Sequence, residues 1–152
     1  MDSILVDNAR QFAISSHLGQ TDKLGAPYYD HPEAVARIVR ERHADDPEID
    51  LLEAVAWLHD VIEDCGGLKA AISLLDKGFP SYVVTLVLIL THLPDETNEK
   101  YWARVRNHRV ARLVKLADIA HNTDPERLAR LDEATRSRLM NKYSLALEAL
   151  KI

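Results

Sequence analysis

Glu53, His59, Asp60, Glu63 and Asp64 are the polar residues of a stretch, 51–64, whose other side chains are all apolar. On a helical wheel at 100° per residue these five fall within an arc of about 140°, interrupted by Ala56 and flanked on both sides by leucine, valine and tryptophan. An ordinary solvated face is the usual fate of charged helical positions. This arc, however, holds four carboxylates and a histidine with no lysine or arginine, so its charges repel unless something cationic sits among them. A bound divalent ion answers that repulsion. The single cysteine, Cys65, allows neither an internal disulfide nor a CxxC pair, so an ion here must use nitrogen and oxygen ligands.

The adjacent imidazole and carboxylate of His59 and Asp60 suit a borderline or hard divalent cation. Neighbouring helical positions point 100° apart, so the ion sits in the wedge between them and other segments complete its shell. His31, beside Pro32, and Asp118, midway along an apolar helix containing Val110, Leu113, Val114 and Ala117, are the candidates. On spacing alone His31 reads equally as a turn residue and Asp118 as a surface group.

The elements that must position these residues are helical. Apolar residues recur at three- and four-residue steps from Ile4 to His17, with Gly19 as a stop, and Pro32 suits the first turn of a second helix carrying Val35, Ile38 and Val39. The pattern predicts one helix from Ile49 to Asp64 ending at Gly66-Gly67, a short one over 68–76, and others near 98–107, 109–122 and 134–150. Residues 81–91 have strand-like composition but nothing to pair with, and an isolated strand is unstable, so they are read as a buried helix. The expectation is an all-α fold: one compact domain over 1–152, about seven helices, no sheet.

The 152 residues are 47% apolar, an amount that fits one hydrophobic core. No run is long enough to span a membrane, and Met1-Asp2-Ser3 lacks the basic start of a signal peptide, which predicts a cytoplasmic protein with no membrane partner. A net charge of −5 argues against a nucleic-acid partner. The densest basic segment, Arg104 to Lys115, reads as a solvated helix face. Leucines and alanines of 144–150 recur at helical spacing and could pack within the chain or support a homodimer.

Three ordered segments resemble motifs of one known family. Pro27-Tyr28-Tyr29-Asp30-His31-Pro32, Trp57-Leu58-His59-Asp60-Val61-Ile62-Glu63-Asp64 and Val114-Lys115-Leu116-Ala117-Asp118-Ile119-Ala120-His121-Asn122 are similar to the PYxxHP, LLHDxxED and KLADxxxN motifs of the HD-domain metal-dependent phosphohydrolases. The branch in question holds the RelA/SpoT hydrolase domains and the small alarmone hydrolases. The resemblance implies a manganese or other divalent ion on His31, His59, Asp60 and Asp118, and removal of the 3′-pyrophosphate of guanosine tetra- or pentaphosphate by an activated water. It further implies Glu63 as base or water-orienting group with Asp64 as partner, Asn122 as a nucleotide contact, and Lys115 as either a nucleotide contact or a brace. Tyr28 and Tyr101 become candidates for the nucleotide pocket. For Tyr28 and His121 the alternative is packing or a hydrogen bond onto a ligand; for Tyr101, beside Trp102, it is simple core. Thr91 is a further pocket candidate.

The chain departs from the family pattern in three places. The basic pair that usually precedes PYxxHP falls on Gly19-Gln20-Thr21-Asp22-Lys23, which keeps Lys23 as a substrate-binding candidate but lacks the guanine-stacking arginine. Ile119 stands where many relatives have arginine, and Cys65 where they have threonine. These departures keep open a phosphohydrolase of another nucleotide or phosphate ester and, third, a non-catalytic nucleotide sensor. Retention of Glu63 and Asp64 speaks against the sensor.

Overall fold

The computed structural model describes residues 3–22 and 24–152. Among them are ten helices and no sheet; the one β-bridge joins Thr21 to Pro27. Helix α1 (Ile4–Ser16) starts where the Ser3 hydroxyl accepts the Val6 N–H at 3.0 Å, satisfying one of the free amides of the first turn. Helix α2 (Asp30–Arg42) carries Pro32 in its first turn, where no amide is needed.

Helix α3 (Ile49–Leu58) is the axis of the fold. Every side chain from Leu52 to Leu58 is buried, because α1 and α2 pack along it and α6 and α8 cover the rest. A helix apolar nearly all round is stable only in such surroundings, where each fully buried leucine or valine contributes about 1.5–3 kcal/mol. The expected continuation to Asp64 is broken. The backbone turns at Asp60 (φ −103°, ψ −2°) before a single turn, α4 (Val61–Asp64). The break falls at the His59-Asp60 pair, whose side chains approach each other, His59 Nε2 lying 3.2 Å from Asp60 Oδ2. Gly66 and Gly67, at φ +125° and +60°, then end the segment in backbone that L side chains rarely adopt.

Helix α5 (Leu68–Asp76) leads to α6 (Ser81–Ile89), the valine-rich run, which is helical as its lack of a strand partner predicts and buries Val83, Val84, Val87 and Ile89. Helices α7 (Asn98–Arg106) and α8 (Arg109–Asn122) are separated at Asn107-His108. The basic segment is therefore no continuous solvated face. Arg104 donates to the carbonyls of Ile89 and Thr91 and to Glu96, and Arg109 pairs with Asp46 and Glu48.

The short α9 (Pro125–Ala129), capped by Asp124, lies outside the helices the sequence pattern predicts, and with α4 split from α3 the described residues hold ten helices rather than about seven. Helix α10 (Glu133–Ala149) packs within the chain on α7 and α8, burying Ala146, with Leu150 buried just beyond its end. No helix among the described residues is long and apolar enough to cross a membrane.

Candidate metal centre and its cavity

His31 comes from the first turn of α2, His59 and Asp60 from the break between α3 and α4, and Asp118 from the middle of α8. Their donor atoms close a ring: His31 Nε2 is 2.8 Å from Asp118 Oδ1 and 3.7 Å from Asp60 Oδ2, and His59 Nε2 is 3.2 Å from Asp60 Oδ2 and 3.4 Å from Asp118 Oδ1. Ligands at right angles around an ion with bonds of about 2.0–2.5 Å stand roughly 2.8–3.5 Å apart. Three of the four edges fall within that spacing, and the fourth, His31 to Asp60, is slightly longer. His31, His59 and Asp118 are buried. His59 Nε2 is a buried nitrogen without a hydrogen-bond partner, the kind of atom a cation satisfies. His31, His59 and Asp60, whose ligand atoms all lie within 4.8 Å of one another, could hold a divalent ion, with Asp118 against both histidines.

Surrounding contacts fix the orientation of each candidate ligand. His59 Nδ1 donates to the Ala56 carbonyl at 2.6 Å, which leaves the Nε2 lone pair facing the ring. His31 Nδ1 lies 2.7 Å from His121 Nδ1. Burial, with the charges of His31 and Arg127, lowers the His121 pKa to about 4, so its ring is neutral near pH 7. The Tyr28 hydroxyl donates to Asp60 Oδ2 at 2.8 Å. Asp118 accepts from Lys115 Nζ at 2.8 Å and from Asn122 Nδ2 at 3.1 Å. Burial opposes charge on Asp118, but the Lys115 ammonium and the two histidines overcome it and hold the carboxyl far below the usual range. Lys115 thus has its ammonium engaged as a brace, with the Tyr101 ring 5.5 Å from it.

An open cavity of about 350 Å³ lies over the ring, with Glu63, Asp64, Lys115 and Asn122 in its lining. Glu63 Oε1 accepts the His92 N–H at 2.7 Å. Burial raises the Glu63 and Asp64 pKa values, and the charge of Asp60 adds to both. Two cations of the lining, Arg127 of α9 and Lys142 of α10, did not emerge from the sequence. Nothing in their local pattern marks them; only the return of the last two helices brings them here. Leu24, Leu131 and Leu139 supply an apolar portion.

Tyr101 lies beside this cavity. It is buried, donates its hydroxyl to the Leu90 carbonyl at 2.8 Å, and lines a smaller hollow of about 110 Å³ with Glu63, Lys115 and Lys142. Thr91 is buried, and its hydroxyl is bonded to the Val87 carbonyl. Lys23 lies outside the described residues. Glu53 does not join the acidic group; it is buried and pairs with Arg40 of α2. The carboxylate arc therefore divides, with Glu53 paired to Arg40 of another helix and Glu63 left within the field of Lys115, which itself pairs with Asp118.

No family model matches the chain. A guanosine-3′,5′-bis(diphosphate) 3′-pyrophosphohydrolase of Vibrio cholerae is 40% identical over 108 residues, covering 70% of this chain and 14% of the relative. A GTP pyrophosphokinase rsh of Brucella melitensis is 31% identical over 147 residues, covering 90% of this chain and 19% of the relative. The chain spans less than a fifth of the length of these curated relatives. Among solved structures, a metazoan ortholog of SpoT that hydrolyzes ppGpp superposes with a TM-score of 0.80 at 21% identity, over 99% of this chain and 88% of that one. That likeness is one of fold and agrees with the all-helical architecture.

Proposed function

The chain is a relative of the RelA/SpoT-type alarmone hydrolases, and from that premise we propose that it is a metal-dependent phosphohydrolase that removes the 3′-pyrophosphate of guanosine tetra- or pentaphosphate. The observation that carries the reading is the closed ring of His31, His59, Asp60 and Asp118 at the floor of a cavity that also holds Glu63 and Asp64. Manganese fits the mixed nitrogen and oxygen donors, as other first-row divalent ions do.

When bound, the ion supplies Lewis acidity and positive charge at the phosphorus under attack. The chain's own groups do the rest. Glu63, anchored by the His92 amide and raised in pKa by burial, takes the proton of the attacking water. Asp64 stands beside it as its partner in polarising that water. The bond from phosphorus to the 3′ oxygen breaks, pyrophosphate leaves with the water's oxygen, and the 3′ oxygen takes up a proton to become the hydroxyl of the product, balancing the one Glu63 received. Lys115 keeps Asp118 charged and in place. Asn122, Arg127 and Lys142 meet the nucleotide and its phosphates along the cavity lining.

A second reading, hydrolysis of a different nucleotide, is favoured by one feature: no arginine occurs in 19–23 to stack on a guanine, and leucines line part of the cavity. A panel of nucleotides with manganese decides between them. Release of pyrophosphate and guanosine diphosphate from guanosine tetraphosphate, absent in His59→Ala, supports the first reading. Turnover of other nucleotides alone supports the second, and turnover of none overturns both.

A further inference from the structure

We propose that Tyr28, although it lines the cavity, serves as a positioning residue for Asp60, held in place by the buried ring of His17, rather than as a contact to the substrate; the proposal rests on the metal-site reading above. The Tyr28 hydroxyl donates at 2.8 Å to Asp60 Oδ2, the same oxygen that faces His59 Nε2 at 3.2 Å and His31 Nε2 at 3.7 Å. A carboxylate oxygen that accepts a phenol on one side has its remaining lone-pair direction set, and Asp60 is thereby kept from rotating out of the ring.

Tyr28 is itself fixed from three directions. Its backbone N–H donates to the Gln20 carbonyl at 2.9 Å. Its ring lies 4.9 Å from that of His17, which is completely buried at the end of α1, and 6.0 Å edge-on from that of His31. His17 Nδ1 is 3.0 Å from Gln20 Oε1 and 3.4 Å from Cys65 Sγ. With His121 stacked on His31 at 4.9 Å, four aromatic rings run in series from the end of α1 to α8 beside the metal ligands. His17 belongs to none of the matched motifs, and its place in this series gives it a role.

The test is manganese affinity, measured by calorimetry on chelator-stripped protein without nucleotide, for wild type, Tyr28→Phe and His17→Ala. Loss of an outer hydrogen bond to a metal ligand typically costs 10- to 100-fold in affinity. Tyr28→Phe is expected to weaken manganese binding by roughly that factor, with the melting temperature of the stripped protein unchanged and KM at saturating manganese within about twofold of wild type. His17→Ala is expected to weaken it in the same direction, and His17→Phe, which restores a ring against Tyr28, to recover it. Unchanged manganese affinity in Tyr28→Phe with a raised KM would overturn the proposal and make Tyr28 a substrate contact. If the wild-type protein itself binds no manganese, the metal-site reading falls, and this proposal with it.

Discussion

His59 Nε2 lies 3.4 Å from Asp118 Oδ1, yet no hydrogen bond joins them. The His59 ring has committed its Nδ1 proton to the Ala56 carbonyl, so in the neutral ring the other nitrogen turns a lone pair toward a carboxylate oxygen. Only a positive charge makes that arrangement favourable: a second proton on the ring, or a cation between the two atoms. Burial works against the protonated ring, but the Asp60 and Asp118 carboxylates outweigh it and hold the His59 pKa well above its ordinary value. Proton and metal therefore compete for one nitrogen.

Manganese affinity is accordingly expected to rise with pH, because the protonated ring cannot ligate and its pKa is raised. Binding near pH 7 should release a proton. Calorimetry in two buffers of different ionisation enthalpy measures that release directly, and an affinity independent of pH would contradict it.

Glu63→Gln is expected to lower kcat by about 10²- to 10⁴-fold, the usual contribution of a general base, while leaving manganese affinity within about twofold. Burial raises the Glu63 pKa, and a base acts only when deprotonated. The acid limb of the wild-type pH profile should therefore lie above the ordinary glutamate value of about 4.3.

Lys142→Ala is expected to raise KM by about tenfold with little change in kcat, since one charge-assisted phosphate contact of about 1.4 kcal/mol corresponds to that factor. The salt dependence of KM should weaken in the same variant. Steady-state kinetics at two ionic strengths checks both.

Arg104→Ala should destabilise the protein while leaving the four candidate metal ligands in place. Its guanidinium satisfies the carbonyls of Ile89 and Thr91 as well as Glu96, and stranding such partners costs about 1–3 kcal/mol. Denaturant unfolding should show that loss, with manganese affinity unchanged.

What the sequence reveals about this site divides along a physical line. The helical period and the stop at Gly66-Gly67 are local, so most helices are legible, and so is the unusual pairing of His59 with Asp60. The break at Asp60 is not, because Trp57 to Ile62 continues an unbroken apolar period. Glu53 looked like part of the acidic group because Arg40, its partner, lies on another helix. Lys142 and Arg127 reach the cavity only through the path of α9 and α10. The Asp124-Pro125 start of α9 is a readable capping signal, but five residues are too few for periodicity to confirm a helix.

The central claim is tested most directly by anomalous diffraction at the manganese edge from crystals grown with the ion. The account predicts one strong peak per chain, about 2.0–2.5 Å from His31 Nε2, His59 Nε2 and an oxygen of each of Asp60 and Asp118. A peak elsewhere, or none at millimolar manganese, would contradict it.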